Sequence, residues 1–212
     1  MKPYYQDDSV TIYHGDCLDL LPIVSADVAI TDPPYNVGLK YTKKTDDSRA
    51  DYSKWCGAWF RLLRNAAKTV ALTPGTPNVH LWLDMEEPDL WLCNWRPNGH
   101  GYSKAGFCHW EPMLVWGPVQ GKRKTDVIRA PIINIPEAEP HPCPKPVAWA
   151  EGAINLLAPD GGTVLDPFIG SGTTLVAAKK LGRKAIGMEI EERYCEISAN
   201  RCRQESLADM LP

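Results

Sequence analysis

Hydrophobic positions along the chain alternate between short β-rich runs and segments with helical spacing. Val10–His14 and Asp27–Thr31 are rich in β-branched and apolar residues, and each run is predicted to be a strand. Apolar positions between residues 53 and 67 recur at helical spacing, which predicts a helix that Ser53 could cap. Gly and Pro separate the next predicted strands, which are Thr69–Thr73, Val79–Leu83, Leu90–Trp95 and Met113–Trp116.

The C-terminal third has the most regular pattern. It predicts helices at about 146–157, 173–181 and 191–203, with strands at Thr163–Leu165 and Lys184–Met188 between them. Strands that alternate with helices favour an α/β fold with a doubly wound, mostly parallel sheet. A chain of 212 residues fits a single domain.

Composition narrows the class of protein. The chain is 44% hydrophobic and 23% charged, which is typical of a globular protein and argues against disorder. No apolar run approaches the ~18 residues of a membrane span and no signal peptide opens the chain, so we expect no membrane partner and a cytoplasmic location. Seven scattered cysteines without a Cys-x-x-Cys pair predict reduced thiols and no metal site.

Four predicted strands are each followed or closed by an acidic residue: Asp16, Asp32, Asp166 and Glu189. In open α/β sheets, ligands bind beyond the carboxyl ends of the strands. Four carboxylates that met there would be costly to bury unpaired, so a donor-rich ligand or a cation would be needed to satisfy them. The alternative is that they are separate surface or capping residues.

The turn Gly170-Ser171-Gly172 lies between a predicted strand and a predicted helix. Its glycines allow a ligand to approach the backbone, and the helix start offers unpaired N–H groups. Thr173 stands where a phosphate-binding loop needs Lys, and Leu175 stands where a dinucleotide motif needs its third Gly. A phosphate-transfer enzyme is therefore a distant alternative.

Together these residues resemble the DNA amino-methyltransferases that modify N6 of adenine or N4 of cytosine. Asp32-Pro33-Pro34-Tyr35 is similar to their catalytic motif, and residues 165–174 are similar to their S-adenosylmethionine (AdoMet) motif. His141–Pro146 resembles the segment that leads into another cofactor contact. The catalytic motif comes first, which is the permuted order of the β class. The resemblance covers nearly the whole chain and implies a circularly permuted, Rossmann-like AdoMet-dependent methyltransferase fold.

The resemblance also implies roles for individual residues. Asp16 would contact the adenine of AdoMet, Glu189 would bind the ribose hydroxyls, and Lys145 would anchor the methionine carboxylate. The full set of cofactor residues implied is Asp16, Asp32, Lys145, Asp166, Pro167, Phe168, Ile169, Gly170, Ser171, Gly172, Thr173, Glu189 and Ile190. The catalytic set implied is Asp32, Pro33, Pro34 and Tyr35.

The expected activity is methylation of an exocyclic amine in double-stranded DNA. In the family resembled, Asp at the first motif position is associated with adenine and Ser with cytosine, so Asp32 favours N6 of adenine. The alternatives are methylation of cytosine N4 or of RNA, and a catalytically silent protein that binds AdoMet or DNA.

Contact with DNA must come from local charge, because the chain has a net charge of -3. Residues 38–68 hold eight Lys and Arg against three Asp, and residues 96–129 hold six against two acidic residues. We expect a DNA-contacting loop at about 36–52 and a short recognition or linker segment at about 117–144. The residues predicted to contact DNA are Lys40, Lys43, Lys44, Arg49, Lys122, Arg123 and Lys124.

The gap that would hold a recognition region, between Glu111 and Lys145, is short for a β-class enzyme. Recognition would then be brief, or a second subunit would complete the DNA cradle in a homodimer. Four tryptophans could form a dimer face, although core packing is the role expected for most of them: Trp91, Trp95, Trp110 and Trp116. The permuted order further predicts that the last helix covers the sheet beside Val10–His14, so that both chain termini share one edge region.

Overall fold

The computed structural model describes residues 2–39, 47–98, 101–103, 106–122, 125–132 and 144–208. The strands in these ranges are β1 (Tyr5–Gln6), β2 (Val10–His14), β3 (Ala26–Thr31), β4 (Ala67–Leu72), β5 (Leu90–Trp95), β6 (Gly101–Ser103), β7 (Gly106–Cys108), β8 (Trp110–Trp116), β9 (Val127–Arg129), β10 (Thr163–Asp166) and β11 (Lys184–Glu189). The helices are α1 (Cys17–Leu20), α2 (Tyr52–Ala66), α3 (Val79–Met85), α4 (Val147–Leu157), α5 (Thr173–Lys180) and α6 (Glu192–Ala208). Short 3-10 helices span Leu21–Ile23 and Thr76–Asn78.

Nine of the described strands form one sheet in the order β1-β2-β11-β10-β3-β4-β8-β5-β9, and β6 pairs separately with β7. Strands β2, β11, β10, β3 and β4 run parallel to one another, while β8 runs antiparallel to both β4 and β5. The α/β fold with a mostly parallel, doubly wound sheet is therefore confirmed. No helix in the described ranges is long and apolar enough to cross a membrane.

Alternating side chains of the central strands feed two hydrophobic cores, one on each face of the sheet. On β3, Val28 and Ile30 join the core that α4, α5 and α6 complete, whereas Ala29 faces the core around α2. All three side chains are fully buried. Burial on both faces explains why β3 reads as a nearly continuous apolar run and not as a strict alternation.

Two predictions about the segment after the catalytic motif were wrong. Residues 79–83, predicted to be a strand, begin helix α3, and Trp82 from this helix is buried with its ring 5.3 Å from that of Trp59. A short apolar run does not distinguish a strand from a buried helix, and this packing decided it. Ser53 is not the helix cap, because α2 already begins at Tyr52.

The two ends of the described chain lie at the same region of the sheet, as the permuted order predicted. Helix α6 packs against β2 and β11. Near its end, the guanidinium of Arg203 lies 4.8 Å from the centre of the Tyr5 ring in β1. The prediction about the last helix and the termini is confirmed.

Three of the four tryptophans expected to pack mainly in the core are exposed. Trp116 is fully buried, but Trp91, Trp95 and Trp110 are 45%, 41% and 53% exposed. Trp91 pairs across the strands with Leu114, so it points to the sheet face on which α2 packs. The helices on that face leave these outer strands partly uncovered, and core packing is therefore wrong for these three residues.

Candidate active site at the carboxyl edge of the sheet

The four strand-end acids meet in one cavity of about 300 Å³. They follow or close β2, β3, β10 and β11, which are neighbours in the sheet, so their carboxyl ends share one edge. Every residue predicted for catalysis or cofactor binding lines this cavity except Gly172. Tyr35 of the prolyl motif and Gly170 of the glycine turn therefore lie on the same rim.

Gly172 belongs to the framework behind the cavity. Its φ is +82°, and a Cβ there would lie 2.8 Å from the Oγ of Ser198, so only glycine lets the turn pack this closely on α6. The Ser198 hydroxyl donates to the Gly170 carbonyl at 2.8 Å. The buried Arg201 donates to the Ser171 carbonyl at 2.6 Å. These two polar residues on the buried face of the last helix were not found from sequence, because nothing local links them to the turn.

Glu189 and Ile190 form one side of the cavity. The Glu189 carboxylate accepts backbone N–H bonds from Gly170 at 3.0 Å and from Glu191 at 2.9 Å, which ties β11 to the glycine turn. Burial raises the pKa of Glu189 to about 7. Ile190 is 59% exposed at the rim, where its apolar side chain can cover a flat ring.

Asp166 organises the entrance to the turn. Its Oδ1 accepts from the Thr31 hydroxyl at 2.7 Å and from the Phe168 N–H at 3.0 Å. Burial raises the pKa of Asp166 to about 6. The Phe168 ring lies edge-on to Trp59, with centroids 4.9 Å apart, so this predicted cofactor residue also anchors the turn to α2.

Asp32 lies at the centre of a hydrogen-bonded cluster at the end of β3. Its Oδ1 accepts from the hydroxyls of Tyr35 and Thr73, and the Lys145 ammonium lies 3.3 Å away. Burial raises the pKa of Asp32, although Lys145 opposes this change. Thr73 directly follows β4, just as Asp32 directly follows β3. This position at a strand end is the sequence signal from which Thr73 could have been predicted as a site residue.

The prolyl motif is held in place from two directions. The Tyr52 hydroxyl at the start of α2 donates to the Pro34 carbonyl at 2.8 Å. From the other side, the Asn78 amide donates to the Tyr35 carbonyl at 2.7 Å. The buried Asp47 accepts from the N–H of Asn36 at 2.6 Å, which closes the chain just after the motif. Local proline geometry and these three bonds together fix the direction of the Asp32–Tyr35 loop.

Lys145 is placed between two carboxylates. Its ammonium lies 2.6 Å from Oε1 of Glu111 and 3.3 Å from Oδ1 of Asp32. Burial alone would lower its pKa, but Asp32, Tyr35 and Glu111 raise the pKa of Lys145 well above its usual value. Glu111 was not predicted as a site residue. The predicted contact of Lys145 with a methionine carboxylate stays a prediction.

The residues predicted to contact DNA are only partly described. Lys40, Lys43, Lys44, Arg123 and Lys124 lie outside the described residues, as does His141 of the cofactor lead-in. Arg49 lines the cavity, with its guanidinium 5.1 Å from the centre of the Trp55 ring. Lys122 pairs at 2.6 Å with Asp160, which precedes the start of β10, so it lies at the amino edge of the sheet. The structure therefore does not bring Lys122 to the cavity.

Comparisons with known proteins support the interpretation of this cavity as the active site of a DNA methyltransferase. Residues 83–200 match the DNA methylase family of the N6-adenine and N4-cytosine type, and the chain belongs to that family. It is 28% identical to the type II methyltransferase M.ScaI of Streptomyces caespitosus, over 97% of this chain and 85% of that protein. It is 26% identical to the type II methyltransferase M2.DpnII of Streptococcus pneumoniae, over 97% of this chain and 94% of that protein.

Solved structures share the fold. The PvuII DNA methyltransferase, described as cytosine-N4-specific, has a TM-score of 0.75 at 19% identity, covering 94% of this chain and 88% of its own. A putative DNA modification methylase of Thermus thermophilus, complexed with S-adenosyl-L-methionine, has a TM-score of 0.65 at 19% identity, covering 92% and 93%. The predicted family, the fold and AdoMet as the cofactor are confirmed. The protein is an AdoMet-dependent DNA amino-methyltransferase.

Proposed function

We propose that this enzyme methylates N6 of adenine in double-stranded DNA. The observation that carries the proposal is the Asp32–Tyr35 motif at the rim of the cavity that the glycine turn and Glu189 form. Asp at the first position of this motif is associated with adenine in the family. Cytosine N4 is the second candidate target, because its exocyclic amine would donate to the same hydrogen-bond acceptors as the adenine amine.

The cavity suits the cofactor in its residue types. The Glu189 carboxylate is suited to ribose hydroxyls, and the exposed Ile190 to the adenine ring beside Asp16. The start of α5 offers backbone N–H groups to a carboxylate, and Asp166 and Lys145 border the same space. When bound, AdoMet supplies an electrophilic methyl group.

The catalytic motif is suited to an extruded base. A base inside a duplex cannot present its amine to the cofactor, so it must flip out of the stack. The Asp32 carboxylate and the Pro33 carbonyl would accept the hydrogens of the amine and direct its lone pair. Tyr35 would stack on the base, a contact worth ~1–3 kcal/mol. Positioning and electrostatics then supply the rate without a covalent intermediate.

Single-molecule sequencing of DNA from cells that express the chain tests this function. We expect N6-methyladenine at one sequence context, and its absence in cells that express the Asp32→Ala variant. N4-methylcytosine would establish the second candidate instead. Unmodified DNA from cells whose purified protein still binds AdoMet would show a catalytically silent protein.

AdoMet affinity should depend on pH through two buried acids. The carboxylates of Asp166 and Glu189 are useful to the cofactor when ionised, and their pKa values are about 6 and about 7. Protons therefore compete with AdoMet at low pH, and calorimetric affinity should rise by up to about tenfold per pH unit through this window. It should level off above about pH 8, where both groups are ionised.

The matched variant for the pH experiment is Glu189→Gln, which keeps the side-chain shape and removes one titration. Its affinity should be lower at high pH, and the inflection near the pKa of Glu189, about 7, should disappear. A wild-type affinity that stays constant across the same window would contradict the assignment of these carboxylates to the cofactor.

DNA binding should depend on salt through the loop after the catalytic motif. Replacing Lys43 and Lys44 with Gln removes two predicted phosphate contacts. The slope of log affinity against log salt should become shallower by about two, since each contact contributes ~0.9. Fluorescence anisotropy with a labelled duplex measures this slope.

The control for the salt experiment is the double change of Lys180 and Lys184 to Gln. Lys180 ends α5 and Lys184 begins β11, so both lie at the edge of the sheet away from the cavity. This variant has the same loss of charge and should keep the wild-type slope. Equal slopes for all three proteins would exclude the loop from phosphate contact.

We further propose that the chain is one catalytic domain with a DNA-contacting loop at about 36–52 and a short recognition or linker segment at about 117–144. Strand β9 lies within the second segment and pairs with β5 at the edge of the sheet. A homodimer through the exposed Trp91, Trp95 and Trp110 stays a prediction that sedimentation velocity can check. The enzyme would act in the cytoplasm of a bacterial or phage-infected cell, as part of restriction-modification.

A further inference from the structure

A row of three charged groups extends from the cavity into the protein. Asp32 and Lys145 line the cavity, and Glu111 of β8 lies behind Lys145, with its side chain 7% exposed. The Lys145 ammonium is 2.6 Å from Glu111 and 3.3 Å from Asp32, so it is held more closely by the carboxylate farther from the substrate.

The Glu111 carboxylate is held by hydrogen bonds from two side chains. Its Oε1 accepts from the Asn94 amide at 2.8 Å as well as from Lys145. Asn94 lies opposite Glu111 in the register of β5 and β8, and both are buried. Burying a carboxylate is costly unless it is paired and hydrogen-bonded. Although burial favours the neutral acid, Lys145 lowers the pKa of Glu111 below its usual value, so Glu111 is ionised.

This arrangement controls how strongly Lys145 acts on Asp32. A lysine paired with Asp32 alone would neutralise that carboxylate and weaken it as an acceptor. With two carboxylates sharing one ammonium, Asp32 keeps more of its negative charge. Asp166 and the hydroxyl of Tyr35 also act on Asp32, and Arg96 lies 4.0 Å from the far side of Glu111.

We propose that Glu111 is a positioning residue for methyl transfer, which holds Lys145 back from Asp32 so that Asp32 can accept hydrogen bonds and then a proton from the target amine. This inference rests on the proposed function. In the reaction, the amine nitrogen forms a bond to the methyl carbon as the carbon–sulfur bond breaks and its electron pair stays on sulfur. The nitrogen then loses one proton to the Asp32 carboxylate, which passes it to solvent.

Glu111→Gln in the full chain tests the inference. Lys145 should then pair fully with Asp32, and kcat should fall by about tenfold to a hundredfold, as for a weakened acid–base group. The acid limb of the kcat–pH profile should move to lower pH, since Lys145 would stabilise ionised Asp32.

A purely structural role for Glu111 would lower the melting temperature and leave the acid limb in place, and that result would overturn the inference. So would a wild-type kcat in Glu111→Gln. If this variant fails to fold, Glu111→Asp keeps the charge with a shorter reach. Its kcat should be reduced with the acid limb near that of the wild type, and a limb displaced to lower pH would contradict the role of the charge.

Glu151→Gln is the matched control. Glu151 pairs with Lys180 at 2.8 Å on the outer surface of α4 and α5, so the same chemical change breaks a Glu–Lys pair away from the cavity. Its kcat and pH profile should equal those of the wild type. Failure of the proposed function would appear as wild-type protein that leaves adenine unmodified, whereas failure of this inference would appear in the Glu111 variants of an enzyme that methylates DNA.

Discussion

Asp32→Ala is expected to lower kcat for methyl transfer by about a thousandfold or more while AdoMet still binds. The variant removes the acceptor that would hold the target amine, but leaves the glycine turn and Glu189 in place. Lys145 keeps its 2.6 Å contact with Glu111, so the change does not strand a buried ammonium. Transfer of labelled methyl groups to duplex DNA measures the loss, and calorimetry measures cofactor binding.

Asp27→Ala is the control for this variant because Asp27 lies near the opposite end of the same strand. It accepts from Lys68 at 2.8 Å and from the Thr163 N–H at 2.9 Å, and it does not line the cavity. Its loss should cost about 1 kcal/mol of stability and no activity. Turnover in Asp32→Ala comparable to that in Asp27→Ala would remove the proposed catalytic role.

Gly75→Ala should have the next largest effect, although Gly75 contributes no side chain to the cavity. Its φ is +67°, and a Cβ there would lie 2.7 Å from Cγ of Tyr35. The Tyr35 ring would have to move, and with it the surface proposed to stack on the flipped base. A displacement of this kind costs about a hundredfold in rate. Steady-state kinetics with duplex DNA should show the loss with AdoMet affinity unchanged.

Backbone strain alone must be separated from the displacement of Tyr35. Gly182 also has a φ of +67°, but a Cβ there would meet nothing within 4 Å. Gly182→Ala should therefore introduce strain from a positive φ without a clash, and retain full activity. Equal activity in the two variants would mean that the position of Tyr35 does not matter for the reaction.

Hydrophobic periodicity predicted the α/β class, seven of the described strands and four of the described helices, but not the short elements β1, β6, β7, β9 and α1. Errors arose where packing overrode local pattern. Residues 79–83 have the apolar content of a strand, yet Trp82 packs on Trp59 and Phe60, which requires α3. Trp91 and Trp110 are large apolar residues of the kind that pack in cores, yet the helices only partly cover the outer strands that carry them.

The sequence by itself determined the family, the cofactor and the chemistry at the strand ends. Those features follow from short contiguous motifs, Asp32–Tyr35 and residues 165–174, and from acids placed directly after predicted strands. A short motif specifies its own backbone geometry, because prolines fix φ and glycines permit positive φ.

Only the tertiary structure decided which distant residues support the site. Three sets of contacts join segments that are far apart in the chain. They are the pairing of Lys145 with Glu111, the hydrogen bonds from Ser198 and Arg201 to the glycine turn, and the close approach of Gly75 to the Tyr35 ring. The physical reason is that these contacts depend on strand order and on helix packing across the sheet. Glu111 meets Lys145 because antiparallel β8 starts at the edge where the parallel strands end, and no local spacing in the sequence expresses that relation.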